Sequence, residues 1–170
     1  MRILRIGVCL LVLMLLPLLA GCGGGGGDDG ETRVSGQLDD GDIVLEDGTF
    51  ADVYEFRARD TGLARIRMTS NTLDSYVAVY EIFSDDSLDF VADSGDDGSG
   101  DAEVVFEVDE GARYAVLANS QTFQTGSYRL FFSEEIDDVR QVDEDELPAR
   151  SASGRGAKLA AQLSANKHRK

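Results

Sequence analysis

The sequence predicts an all-β domain, an antiparallel β-sandwich or jelly roll of about eight short strands. Three observations carry this reading. Between about residues 33 and 133, apolar and polar residues alternate with period two, as in Tyr54, Phe56 and Ala58 against Glu55, Arg57 and Arg59, which is the pattern of a strand with one dry and one wet face. Turn signals rich in Gly and Asp recur at short intervals. No stretch between them repeats its apolar residues at the spacing of a helix. The 170 residues allow one domain of ordinary size, large enough to bury a core without disulfides or a structural metal.

Taken in order, the chain opens with Arg2 and Arg5, followed by an apolar run from Ile6 to Leu19 that Gly7 and Pro17 interrupt. The run is short for a membrane span and reads as an export signal over 1–21. Leu19, Ala20, Gly21 and Cys22 end it in the manner of a bacterial lipobox, in which small residues admit the peptidase and the Cys22 thiol receives the lipid. Anchoring in the bacterial cell envelope through Cys22 is therefore expected. Gly23 stands where enterobacteria-like sorting uses Asp to retain a lipoprotein at the inner membrane, so the outer membrane is favoured by that resemblance. Cys9 falls within the removed segment, and no disulfide framework is available to the rest. Residues 22–32, with an unbroken run from Gly23 to Gly27 followed by Asp28 and Asp29, bury nothing apolar and read as a flexible tether. They do not form a phosphate loop, for no strand, helix or Lys-Ser/Thr partner flanks them.

The domain is expected over 33–133. After the Tyr54 strand, Ala64, Ile66 and Met68 alternate with Arg65 and Arg67, and Val77 and Val79 alternate with Tyr76, Ala78 and Tyr80. Further strands run through Val104 to Val108, Tyr114 to Ala118, and Tyr128, Leu130 and Phe132. Asp60 to Gly62, Asp85 and Asp86, Gly95 to Gly100, Glu110 and Gly111, and Thr125 and Gly126 supply the turns. Beyond Ser133 the strand pattern stops. Residues 134–146 are acidic, Pro148 follows, and Arg155, Lys158, Lys167, Arg169 and Lys170 occur without a carboxylate after Ser151. Segregated charge and low hydrophobicity predict a disordered tail over 134–170. A second reading places Leu159 and Leu163, four residues apart, on one face of a short helix that would need a partner.

Thirty-two acidic residues against 16 basic ones give a net charge of -16, which argues against nucleic acid as a partner and suits divalent cations better. Catalysis is not expected. His168 is the one histidine, so neither a Ser-His-Asp nor a Cys-His arrangement nor a His-rich zinc site can be assembled. The aromatics Tyr54, Phe56, Tyr76, Tyr80, Tyr114, Tyr128 and Phe132 suit either a core or a sugar-stacking face, and Trp is absent.

One stretch has the composition of an ion site. Asp93, Asp96, Asp97, Asp101 and Glu103 fall within eleven residues, interleaved with Gly95, Gly98 and Gly100, and Asp74 precedes a neighbouring strand. Calcium takes six to eight oxygen ligands in a tolerant geometry, and glycines let backbone carbonyls turn inward to supply some of them. The competing reading is a solvated hairpin loop, for which Asp and Gly are the default residues, with Asp74 a turn former.

Along these strands, Gly36, then Asp52, Tyr54 and Phe56, Gly62, and Asp74, Tyr76 and Tyr80 appear in order, followed by Asp96 and Asp97, Gly111, Tyr114 and Val116, and Gly126, Tyr128 and Leu130. In this arrangement the chain from about Val34 to Phe132 resembles the bacterial pre-peptidase C-terminal domain, the accessory module of many secreted peptidases, here carried on a bacterial lipoprotein. The resemblance implies a jelly-roll sandwich that is not itself catalytic, with adhesion, substrate targeting or calcium-dependent stabilisation as its role. It leads to the expectation of a lipid-anchored envelope module that binds or scaffolds, with an envelope polysaccharide or an exported protein as partner. The alternative is an accessory or inhibitory partner of an exported hydrolase or peptidase.

Overall fold

Strand β4 (Gly62–Thr69) shows how alternation becomes a layer: Ala64, Ile66 and Met68 are fully buried, while the alternate residues Leu63 and Arg65 are exposed and Arg67 is half-buried. The same rule builds β7 (Ala102–Val108) and β9 (Gly126–Phe132). The computed structural model describes residues 30–95 and 100–142. These form ten strands, the others being β1 (Thr32–Leu38), β2 (Ile43–Val44), β3 (Phe50–Ala58), β5 (Ser75–Ile82), β6 (Leu88–Asp93), β8 (Arg113–Ser120) and β10 (Ile136–Gln141). The expected export signal, Cys22, the glycine tether up to residue 29, Asp96, Asp97 and residues 143–170 lie outside the described residues.

Every strand pair is antiparallel. A four-stranded sheet in the order β1-β9-β4-β7 faces a six-stranded sheet in the order β10-β3-β8-β5-β6, with β2 also on β3. The fold is thus the predicted antiparallel sandwich. Between the sheets lies the larger core, which includes Tyr54, Phe56, Ile66, Val79, Val104, Phe106, Val116, Leu130 and Phe132. Phe56 stacks on Tyr114 at 5.1 Å between ring centroids and meets Phe132 edge-on at 6.3 Å. All seven aromatics that suited either a core or a sugar face are buried, so the stacking face they would have made does not exist.

Two strands exceed the expected count, and both have local causes. β2 is two residues long, too short for a period to show. β10 falls where a disordered tail was expected, so the folded domain extends beyond residue 133 to at least Val142. Its alternation is broken by a register shift between Asp137 and Arg140, where Asp138 takes a φ of 53°. Pairing holds the strand nonetheless. Ile136 enters the core, Arg140 donates to Glu55 at 2.7 Å, and the Val142 amide donates to the Val53 carbonyl at 2.8 Å.

A buried polar chain joins the two sheets. Tyr128 on β9 donates its hydroxyl to the Asp52 carboxylate on β3, and Gln141 on β10 donates to the same carboxylate at 2.9 Å. With its proton so committed, Tyr128 accepts from the Tyr54 hydroxyl at 2.7 Å. Gly36 on β1 lies against the Tyr128 ring so closely that a Cβ would overlap its hydroxyl, which is why this strand position lacks a side chain.

Candidate functional site

The outer face of the four-stranded sheet gathers cations that lie far apart in sequence. Arg33 on β1 and Arg67 on β4 both pair with Phe131 on β9, which gives a cross-strand row Arg33, Phe131, Arg67. The guanidinium of Arg67 lies 4.3 Å from the Phe131 ring centroid and that of Arg33 5.3 Å. Stacking of this kind contributes about 0.5–1 kcal/mol at an exposed site. Its larger effect is orientation: the flat faces are used, while the edge N–H donors stay available for a carboxylate or phosphate. Arg129 follows two residues before Phe131 on the same strand, paired with Ser35 and Thr69, and Arg65 stands two residues before Arg67. Arg33, Arg65 and Arg129 are exposed, whereas Arg67 and Phe131 are half-buried. Arg65 has a weak ion pair with Glu31 at 3.8 Å, and Glu103 on β7 pairs with Arg67 across the strand boundary.

In a chain of net charge -16, the outer strip of β1, β9 and β4 is a local reversal of sign, bordered on β7 by Glu103 and Glu107. Because strands lie about 4.8 Å apart, Arg33 and Arg67 flank Phe131 at about 10 Å from one another. The arrangement can hold an extended anionic ligand across several contacts. It suits a neutral sugar poorly, since the one aromatic ring available is already covered on this face. The β4–β7 margin is more apolar, with Leu63 at 62% and Val105 at 53% exposure, and these two line a groove with Arg65, Glu31 and Glu134.

The acidic residues singled out in the sequence are divided by the fold. Asp93 ends β6 with its carboxylate accepting from the Tyr76 hydroxyl at 3.0 Å and from the Gly95 amide at 3.2 Å. Asp101 accepts from the Ser70 amide at 3.3 Å. Asp74 sits before β5, where its amide donates to the Gln124 side chain at 2.7 Å and its carbonyl accepts from the Gln121 amide at 2.8 Å. The Ser75 amide donates to the Gly100 carbonyl at 3.0 Å, so Asp74, Asp93 and Asp101 belong to one end of the sandwich. Glu103 stands apart on the outer face of the other sheet, beside Arg67. Among the described residues no three acidic, His or Cys side chains come together as a metal would require. Asp96 and Asp97, the other two carboxylates of the expected ion site, lie outside the described residues. One buried hydroxyl, Ser75 Oγ, has no partner at this end.

A third cluster was not anticipated as a unit. Asp52 is 5% exposed, and burial pushes its carboxyl up to about 6; the bonds from Tyr128 and Gln141 oppose the rise, while the nearby Asp42 and Asp39 add to it. Burial likewise raises Tyr54 to about 12, and raises Tyr128 further. The cluster ties the two sheets together. The described residues contain no histidine, and none of the three clusters sets a nucleophile beside a base.

No protein-family model matches the chain, and no curated protein matches it. Solved structures similar to it include the pre-peptidase C-terminal domain of a collagenase from Bacillus anthracis, at 16% identity and a TM-score of 0.45, covering 61% of this chain and 89% of that one. The mitogen derived from Yersinia pseudotuberculosis is similar at 9% identity and a TM-score of 0.44, covering 66% and 97%.

Proposed function

We propose that this chain is a non-catalytic, lipid-anchored module of the bacterial cell envelope that binds an anionic envelope polysaccharide through the outer face of its four-stranded sheet. The row Arg33, Phe131, Arg67, with Arg129 beside it, is the observation that carries the reading. It places oriented guanidinium donors on a flat, accessible sheet, where a chain of carboxylates or phosphates can lie across them. The anchor rests on the sequence around Cys22, and the tether length allows the sandwich to stand off the bilayer.

Binding of the full chain to an immobilised polyuronate, set against a neutral polysaccharide of similar length, tests the face. Arg33→Ala with Arg67→Ala is expected to weaken retention on the acidic polymer by about tenfold or more, the scale of two exposed ion pairs at up to about 1 kcal/mol each. Equal retention on both polymers, or no effect of the double substitution, rejects the assignment. Cys22→Ala is expected to move the protein from the membrane fraction to the soluble one; continued sedimentation with membranes would mean another anchor.

A second reading, an accessory or inhibitory partner of an exported hydrolase, is favoured by the apolar margin of the same face at Leu63 and Val105. Stoichiometric recovery of a hydrolase with the membrane-extracted protein, lost on Leu63→Asp, distinguishes it from polysaccharide binding.

A further inference from the structure

The apolar margin of the four-stranded sheet is open to water and bordered by carboxylates on two sides. Leu63 on β4 is 62% exposed and Val105 on β7 53%. Register sets Leu63 opposite Glu107 and Arg65 opposite Val105, so the two aliphatic side chains are diagonal neighbours on one side of the sheet. They line an open groove of about 430 Å³ together with Glu31, Arg65, Glu134 and Glu135. Along β7 the exposed positions are Glu103, Val105 and Glu107, which puts a carboxylate on either side of the valine.

Backbone bonds fix the opposite wall. The Ile136 amide donates to the Ser133 carbonyl at 3.1 Å, closing a four-residue turn with Glu134 and Glu135 at its centre. Ser133 is tied to β4 twice: its amide donates to the Arg65 carbonyl at 3.0 Å, and its hydroxyl accepts from the Arg65 amide at 2.9 Å. The Arg59 amide donates to the Glu135 carbonyl at 2.8 Å. Glu134 and Glu135 therefore stand on a wall held at both ends. The one cation lining the groove, Arg65, already lies 3.8 Å from Glu31.

We propose that this groove docks an extended segment of a partner protein that presents one aliphatic or aromatic side chain between two basic ones. The inference rests on the premise of the second reading above, that a protein binds at this margin, and names the chemistry of the bound segment. Its apolar side chain covers Leu63 and Val105 and takes them out of water. The flanking lysines or arginines meet Glu134 and Glu135 on one side and Glu103 and Glu107 on the other. Side chains on one face of an extended segment recur at every second residue, so basic, apolar and basic residues at alternate positions match this order. A polyanion is repelled here and belongs on the arginine row, where the sign is opposite. A second copy of the chain fits poorly, because two such grooves face to face set carboxylates against carboxylates.

Retention of the full chain on an immobilised peptide of lysine, threonine, leucine, threonine and lysine, capped at both ends, tests the groove. Replacing the leucine by glycine, or both lysines by glutamine, is expected to weaken retention by about tenfold each. Leu63→Ser with Val105→Ser should cost as much on the parent peptide and nothing further on the glycine one. Glu134→Gln with Glu135→Gln should weaken retention as well, whereas Arg33→Ala with Arg67→Ala should not. Equal retention on the glycine peptide would show attraction to the net charge alone and overturns the proposal. So does equal retention on the glutamine peptide, or full retention of the Leu63→Ser, Val105→Ser variant. A dimer in sedimentation velocity that this variant loses assigns the groove to a second copy and overturns it too. A hydrolase that co-purifies with the chain but is not released by the parent peptide overturns the inference and leaves the second reading standing. A co-purifying protein that the peptide does release, and that is no hydrolase, supports the inference and rejects that reading.

Discussion

Asp52 is the most deeply buried carboxylate among the described residues. Burial lifts its carboxyl from 3.8 to about 6, so the folded protein holds this proton more tightly than the unfolded chain does. Below about pH 4 both states are protonated and the group is neutral in its effect. As pH rises from about 4 through 6, the unfolded chain gains from ionising before the folded one can, and stability falls by up to about 3 kcal/mol. Asp52→Asn keeps an acceptor for Tyr128 and removes the titration. Denaturant unfolding at pH 4 and pH 7.5 is expected to show the wild type losing about 3 kcal/mol more than this variant over that interval. Parallel losses would show that Asp52 ionises without penalty. Tyr128→Phe acts in the opposite sense on the same group: the carboxylate loses a donor and the Tyr54 hydroxyl its acceptor, at a cost of about 1–3 kcal/mol that is greatest where Asp52 is charged. The alternation of β3 and β9 placed Tyr54 and Tyr128 inward, and thus made them legible as core. Nothing in sequence placed Asp52 beside Tyr128, because it shares the buried side with them at a position that composition marks as polar.

Among the elements, those with one wet face could be read directly, as β4, β7 and β9 show. β5 and β8 were visible as strands, but their burial on both sides makes every position from Tyr76 to Tyr80 apolar, and the second apolar face of their sheet passed unnoticed. β10 was hidden by its bulge and by its edge position, where Ile136 and the partly buried Val139, with a few polar partners, suffice. The candidate surface was illegible for a different reason: Arg33, Arg67, Arg129 and Phe131 come from three strands, and their meeting depends on register, which alternation does not give. The acidic loop was legible in part, since Asp74, Asp93 and Asp101 do share one end of the sandwich while Glu103 lies on the outer face of the four-stranded sheet. Calcium binding there remains a proposal resting on Asp96 and Asp97. If it is right, saturating calcium stabilises the full chain by about 2–4 kcal/mol at 100 to 1,000 times the dissociation constant. Magnesium, which resists dehydration and demands six regular ligands, should do less. Asp96→Asn with Asp97→Asn is expected to abolish the calcium shift in melting temperature. An equal response to both ions, or a response that survives in the variant, would leave the loop as a solvated turn.

The whole molecule combines a strong negative charge with one basic sheet face, and the two respond to salt in opposite ways. At a net charge of -16 the folded state brings like charges closer together than the unfolded chain does. Raising ionic strength shortens the screening length from about 30 Å at 0.01 M to about 10 Å at 0.1 M, so repulsion across the domain fades and the melting temperature should rise. The Arg33, Phe131 and Arg67 row depends on attraction to a polyanion over similar distances, and that attraction is weakened by the same salt. Between about 0.01 and 0.2 M sodium chloride the full chain is therefore expected to become more stable while its retention on an acidic polysaccharide falls. The Arg33→Ala, Arg67→Ala variant separates the two effects. It should keep the rise in melting temperature, because the carboxylates that cause it are untouched, and lose most of the salt dependence of binding, because the cations that cause that are gone. Were stability and retention to change in the same direction with salt, a single global field would account for both and the basic face would have no separate role.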